Sequence, residues 1–170
     1  MLSTLLKCFM NSNKPKDYQN PFEKVVKGLE ANHVLTQQSD VFYKNVDITA
    51  FMASGRPPKV PFSTLIISNE SFENLFEISD ESLVAIHLFS KKLATALIEI
   101  FDFDGITIRQ HNGLSQDVWH YHLHVMPRLQ DDLFHDEAWQ WLATTVEERK
   151  PFADKSKKHF AKKSSRQKIR

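Results

Sequence analysis

A chain of 170 residues, 41% apolar and 25% charged, has room for one globular domain and an extension, not for two domains of ordinary size. Its single cysteine, Cys8, excludes an internal disulfide and a zinc site of paired cysteines, and points to a reducing, cytoplasmic setting. The net charge of +1 conceals a division: residues 150–170 hold nine of the 22 Lys and Arg but only one acid, Asp154, a local +8 that leaves the first 149 residues at −7.

Met1 to Met10 is apolar but short and broken by Lys7, so it reads as a frayed or partner-packed lead and not as a signal peptide. No run approaches the roughly 20 apolar residues of a membrane span. Residues 11–21 are polar and hold Pro15 and Pro21, so 1–21 is expected to be lead and linker. Phe22 to Glu30 places apolar residues at 22, 25, 26 and 29, the spacing of a one-sided helix. Val41–Tyr43 and Asp47–Ala53 read as strands joined by a turn. Ser54 to Pro61 carries three Pro and one Gly and must be a loop. Phe62–Ser68 is a β-rich apolar run expected at the centre of a sheet.

Ser79-Asp80-Glu81 supplies an N-cap and a first-turn acid pair, and an apolar stripe from Leu83 predicts a long helix to about Phe101. Asp104-Gly105 turns the chain into a strand over Ile106–Gln110. His111–Gln116 is a polar loop, and Asp117–Met126 reads as a strand closed by Pro127. Asp136–Glu148 is expected to be a helix with Trp139 and Leu142 or Val146 on its packed side. Lys150–Arg170 is expected to be a basic, flexible tail, solvated or partly helical, with weak nucleic-acid contact as one use of its charge. Strands joined by short turns make this an α+β domain over residues 22–149: an antiparallel sheet of about five strands with one long helix and short flanking helices.

The informative feature is His120-Tyr121-His122-Leu123-His124. In a strand these imidazoles share one face, about 7 Å apart for neighbours at i and i+2, while Tyr121, Leu123 and Val125 face the core. Three readings compete. The histidines could ligate a catalytic zinc, they could decorate a half-exposed face, or one could attack phosphorus while its neighbours donate hydrogen bonds to oxygens that gain charge. Spacing alone does not rank the first and third. The remaining histidines, at 33, 87, 135 and 159, are isolated in sequence and read as surface or helix residues; His111 adjoins the polar loop. Trp139 and Trp141 read as packing or interface residues.

The segment Asn112-Gly113-Leu114-Ser115-Gln116 followed by the histidine run and Pro127-Arg128 resembles the histidine triad (HIT) signature, with an Asn-Gly loop and a Gln four residues before the first histidine. Val41–Asn45 with Ala50-Phe51 looks like the family's first hairpin, Ser63–Ile67 like its second strand, and Ser79–Ile100 like its long helix; the likeness runs over about residues 22–130. It implies a domain that pairs as a homodimer and cleaves or transfers nucleoside monophosphates from dinucleoside polyphosphates or nucleoside phosphoramidates, with no cofactor or metal. Carried over by position, His122 is the nucleophile, His120 fixes its geometry, His124 contacts phosphate oxygens and Gln116 bonds the phosphate or leaving group. Asn112 and Gly113 shape the phosphate loop. Ser63 stands where the family often has a histidine, Asp117 where a small hydroxyl residue is common, and Ala50–Ser54 lacks the acid that grips the ribose. These departures favour, as an alternative, a nucleotide-binding or scaffold protein with little turnover.

Overall fold

The structure is a computed structural model and describes residues 14–29, 36–132 and 140–167. Five strands form one antiparallel sheet in the order β1-β2-β4-β6-β5: β1 Val41–Lys44, β2 Ile48–Met52, β4 Thr64–Ser68, β5 Gly105–Arg109 and β6 His122–Arg128. The run expected at the centre is the central strand, and all five of its residues are buried. The loop expected over residues 54–61 contains a two-residue strand, β3 (Gly55–Arg56), which pairs with β7 (Leu142–Ala143) to make a separate ribbon.

Alternation along the strands assigns the two faces. Ile48, Ala50 and Met52 of β2, Ile66 of β4, and Leu123 and Val125 of β6 join one core, together with Tyr121. Over it lies helix α2, Asp80–Phe101, whose start is capped by the Ser79 hydroxyl accepting from Ser82 N–H. Ile86, Phe89, Leu93 and Leu97 are its buried stripe, and Asp102 ends it in the left-handed conformation. On the opposite face Phe51, Ala53, Leu65 and Ile67 meet Phe22 and Val25 of the short helix α1, Pro21–Lys27. Gly28 terminates α1 at φ 73°, two residues before the end expected from the apolar spacing.

Two expectations about the ends of the domain are corrected. The basic segment from residue 150 is not a flexible tail: Val146–Gln167 is one helix, α3, and Phe152, Ala153 and Phe160 pack into the core beside Phe42, Tyr43 and Phe62. Of the helix expected over 136–148 only residues 146–148 are helical among those described, since Leu142–Ala143 is strand and α3 starts at Val146; residues 133–139, with His135 and Trp139, lie outside the described residues, as does His33. What anchors α3 is Arg149, 1% exposed, whose guanidinium makes two bonds of 2.9 and 2.8 Å to the Asp40 carboxylate and donates to the Thr144 carbonyl. A buried charge tolerates this only when paired and fully bonded. The lysines of α3 at 150, 155, 157, 158 and 162 are left facing outward.

At the other end, the expected linker contributes to the domain. Tyr18 meets Trp119 edge-on at 4.9 Å and accepts a hydrogen bond from its backbone N–H, and Asn20 reaches His120. Among the described residues no helix is long and apolar enough to cross a membrane.

Candidate active site

A cavity of about 580 Å³ opens on the α1 side of the sheet. Its lining includes His122 and His124 of β6, Arg109 of β5, His111 and Gln116 from the loop between these strands, and Trp141 just ahead of β7. The β6 register explains the histidine positions: His122 stands opposite Ile67 and His124 opposite Leu65, so both imidazoles share the face of those residues, while Leu123 goes to the core. Their ring centroids are 5.2 Å apart.

His120 departs from the single-strand picture. The strand begins only at His122, because residues 117–120 form bends, so strand alternation does not place His120. The ring is buried, with Nε2 2.9 Å from the Ser68 carbonyl and Nδ1 2.8 Å from the Asn20 amide nitrogen. Both nitrogens are thereby engaged by protein, and neither is available to a metal ion. The backbone carbonyl of His120 lies 2.7 Å from His122 Nδ1. A carbonyl can only accept, so His122 carries its proton on Nδ1 and a lone pair on Nε2, which has no hydrogen bond among the described residues. Phe22 packs edge-on against both His120 and His122, at 5.8 and 5.5 Å.

Burial is the main force on the charge state of the site. It holds His120 down to about 4 and His124 down to about 2, the latter with help from His122, Arg109 and His111, and it lowers His122 as well. The Asp117 carboxylate works the other way on His122, less strongly than burial. Three neutral imidazoles are the consequence near pH 7.

The other expected site residues divide. Gln116 lines the cavity, yet its amide nitrogen donates to the carbonyls of Glu73 and Val118. Both amide hydrogens are used in this way, which leaves its carbonyl end to address a substrate, as an acceptor. Asp117 lines the cavity rim and is exposed. Asn112 and Gly113 do not line it. Asn112 instead braces the loop from behind, accepting from Leu75 N–H and from the Gln110 amide, and Gly113 makes the turn at φ 61°, in the region that favours glycine. Ser63 also lies outside the lining: it is fully buried at the head of β4, with a hydroxyl that has no partner in the described residues.

Three of the lining residues that were not expected bear on the histidines. Phe22 sits under two of the histidines. Arg109, paired in register with His124, brings a guanidinium whose basicity burial lowers. Trp141 meets the His124 ring edge-on at 5.7 Å. It lies directly over Gly55, where an added Cβ would come within 1.9 Å of the indole nitrogen.

An antiparallel sheet presenting two neutral imidazoles to a cavity, one with its proton committed to the backbone carbonyl of His120, defines a histidine-based site. The chain belongs to the HIT family: the family model for the HIT domain matches residues 34–131. It is 30% identical over 94 residues to an uncharacterised HIT-like protein of Saccharolobus solfataricus, covering 54% of this chain and 66% of that one, and 31% identical over 88 residues to protein hit of Bacillus subtilis, covering 51% and 59%. It is 25% identical over 100 residues to a bis(5'-adenosyl)-triphosphatase of Dictyostelium discoideum, covering 58% and 66%. The matched stretch thus spans 59–66% of the length of these relatives. A crystal structure of a Hit-like protein involved in cell-cycle regulation from Bartonella henselae superposes with a TM-score of 0.65 at 27% identity, over 85% of this chain and 98% of that one.

Proposed function

We propose that this chain is a nucleotide hydrolase or nucleotidyl transferase that works through a nucleotidyl-histidine intermediate on His122. The observation that carries the reading is the bond from His122 Nδ1–H to the His120 carbonyl, which leaves Nε2 bare in a cavity wide enough for a nucleotide. The Nε2 lone pair attacks the α-phosphorus; the bond from phosphorus to the leaving oxygen or nitrogen breaks as the P–N bond to His122 forms, and the leaving group takes a proton from solvent. Water then attacks the same phosphorus, the P–N bond breaks, and a nucleoside monophosphate departs. An acceptor other than water would make the reaction a transfer.

Within this scheme Arg109 supplies positive potential and donors to the phosphate oxygens. His124 has a buried Nδ1 without a partner in the described residues and stands beside the attacked centre. The Gln116 carbonyl end accepts from the attacking water or from the leaving group. Dinucleoside polyphosphates are the favoured substrates, supported by Arg109 and by the activity named for the Dictyostelium relative. Nucleoside phosphoramidates are the second class.

A homodimer completes the proposal. β5 is a sheet edge with Ile108 47% exposed, and α2 turns Val84 and Leu88 outward, at 55% and 60%. A free edge and an apolar helix face suit a second copy of the chain.

The test is to quench the protein during turnover of labelled diadenosine triphosphate or adenosine phosphoramidate. A nucleotidyl adduct on His122, absent in His122→Ala together with turnover, supports the proposal; undiminished turnover by His122→Ala refutes it. Tight nucleotide binding without turnover or adduct would establish the binding-protein alternative.

A further inference from the structure

Asn20 lies ahead of residues 34–131 that match the family, in the segment expected to be linker. Both ends of its amide are engaged. Oδ1 accepts from Phe22 N–H at 3.0 Å and so caps α1, while Nδ2 reaches Ser71 Oγ at 3.1 Å and His120 Nδ1 at 2.8 Å. The backbone N–H of Phe22 decides which end of the amide is oxygen, because only an acceptor can face it. The end turned to His120 is therefore NH₂. A ring nitrogen facing NH₂ must be unprotonated, so His120 Nδ1 accepts. The other nitrogen faces the Ser68 carbonyl at 2.9 Å and must carry the hydrogen.

One directional chain of hydrogen bonds results. Asn20 donates to His120 Nδ1, His120 Nε2–H donates to Ser68, and the carbonyl of His120 receives Nδ1–H of His122. We infer that Asn20 is a positioning residue of the active site, which fixes His120 as the neutral Nε2–H tautomer and thereby holds His122 with its lone pair on Nε2. The inference rests on the reading of His122 as the nucleophile only for its kinetic consequence; the two tautomers are properties of the resting protein.

The arrangement also keeps a cation away from the nucleophile. A second proton on His120 would place N–H against NH₂, so protonation must break the bond to Asn20, in a ring that burial already holds neutral. The surrounding groups do not reverse this. Glu23 favours the cation weakly, whereas His122 opposes it, and Phe22, which packs on the ring, carries no charge. The bond to the Ser68 carbonyl favours the cation, less strongly than burial opposes it, and Ser71 contributes only a neutral oxygen.

Two variants keep an oxygen for the α1 cap and alter only the bond to His120. Asn20→Ser removes the NH₂. Asn20→Asp replaces it with an acceptor, which Nδ1 can satisfy only by taking a proton. Nitrogen-15 NMR of the imidazoles in the full chain at pH 6 to 8 is expected to show Nε2–H His120 and Nδ1–H His122 in the wild type, a doubly protonated His120 in Asn20→Asp, and mixed tautomers of both rings in Asn20→Ser. In turnover, Asn20→Ser should lose roughly tenfold in kcat with KM within about twofold, the pattern of misplaced groups and not of lost binding. Asn20→Asp should move the acid limb of kcat/KM upward. Wild-type tautomers persisting in both variants would overturn the inference, as would normal kcat in Asn20→Ser. Loss of turnover in the wild type would instead count against the proposed function, with the NMR result still deciding the role of Asn20.

Discussion

The indole of Trp141 meets the imidazole of His124 at 88°, with ring centroids 5.7 Å apart. The ribbon of β3 and β7 sets this geometry, since Gly55 pairs with Ala143 and the indole rests where a side chain at 55 would be. Gly55→Ala should therefore expel Trp141 from the cavity wall. The expected result is a loss of roughly tenfold or more in kcat/KM, because displacements of about 1 Å near reacting groups cost up to 10²-fold. Trp141→Ala removes the clash, so the double variant should be no worse than Trp141→Ala alone. Additive losses in that cycle would mean that Gly55 acts elsewhere.

Arg109 faces the cavity beside His124, in register across β5 and β6. Charge-assisted bonds contribute about 1.5–3 kcal/mol. Arg109→Gln should accordingly raise KM for diadenosine triphosphate by roughly 10-fold to 100-fold while leaving KM for an adenosine phosphoramidate with a cationic leaving group within about threefold. Equal effects on both substrates in steady-state assays would show that Arg109 contacts the shared nucleotide and not the extra phosphates.

The depressed histidines make a claim about pH. His120, held at about 4 in the folded protein, and His124, at about 2, stay neutral while their unfolded counterparts titrate near 6.5. Below pH 6.5 the unfolded chain thus binds more protons, and stability falls as pH falls. For His120 the loss runs from about pH 6.5 to about 4 and amounts to about 3 kcal/mol when complete. Urea unfolding between pH 4 and 8 should show this slope, and it should be shallower in His120→Gln. An identical slope in that variant would place the proton uptake elsewhere.

Much of this architecture is legible in strand alternation and helix spacing. β4 reads as central because Phe62–Ser68 is apolar on both parities, and α2 reads correctly because Ser79, two acids and the stripe agree. His122 and His124 share a face as their spacing requires. The failures have physical causes. α3 is disguised by Pro151 in its second turn and by its lysines, and its anchor is a buried arginine, a residue type that pattern reading assigns to the surface. Asn20 and Trp141 reach the histidines from far along the chain, Asn20 being 100 residues from His120, and nothing in local periodicity marks such contacts. Gln116 lines the cavity, but the carbonyls that occupy its amide come partly from residue 73, which local pattern does not mark.

The Arg149–Asp40 pair tests whether α3 is part of the folding unit. Both side chains are essentially inaccessible, at 1% and 0%, and Asp40 also accepts from Gln37 N–H. Removing one partner strands the other charge in the interior, which costs about 3–5 kcal/mol. Arg149→Met alone should lower unfolding stability by that amount. Pairing it with Asp40→Leu should recover most of the loss, since no charge is then left buried without a partner. Ending the chain after Glu148 removes Phe152, Ala153 and Phe160 from the core as well, and should unfold the domain or reduce it to a state without a cooperative thermal transition. A truncated chain that melts like the full protein would return residues 150–170 to the status of a dispensable tail.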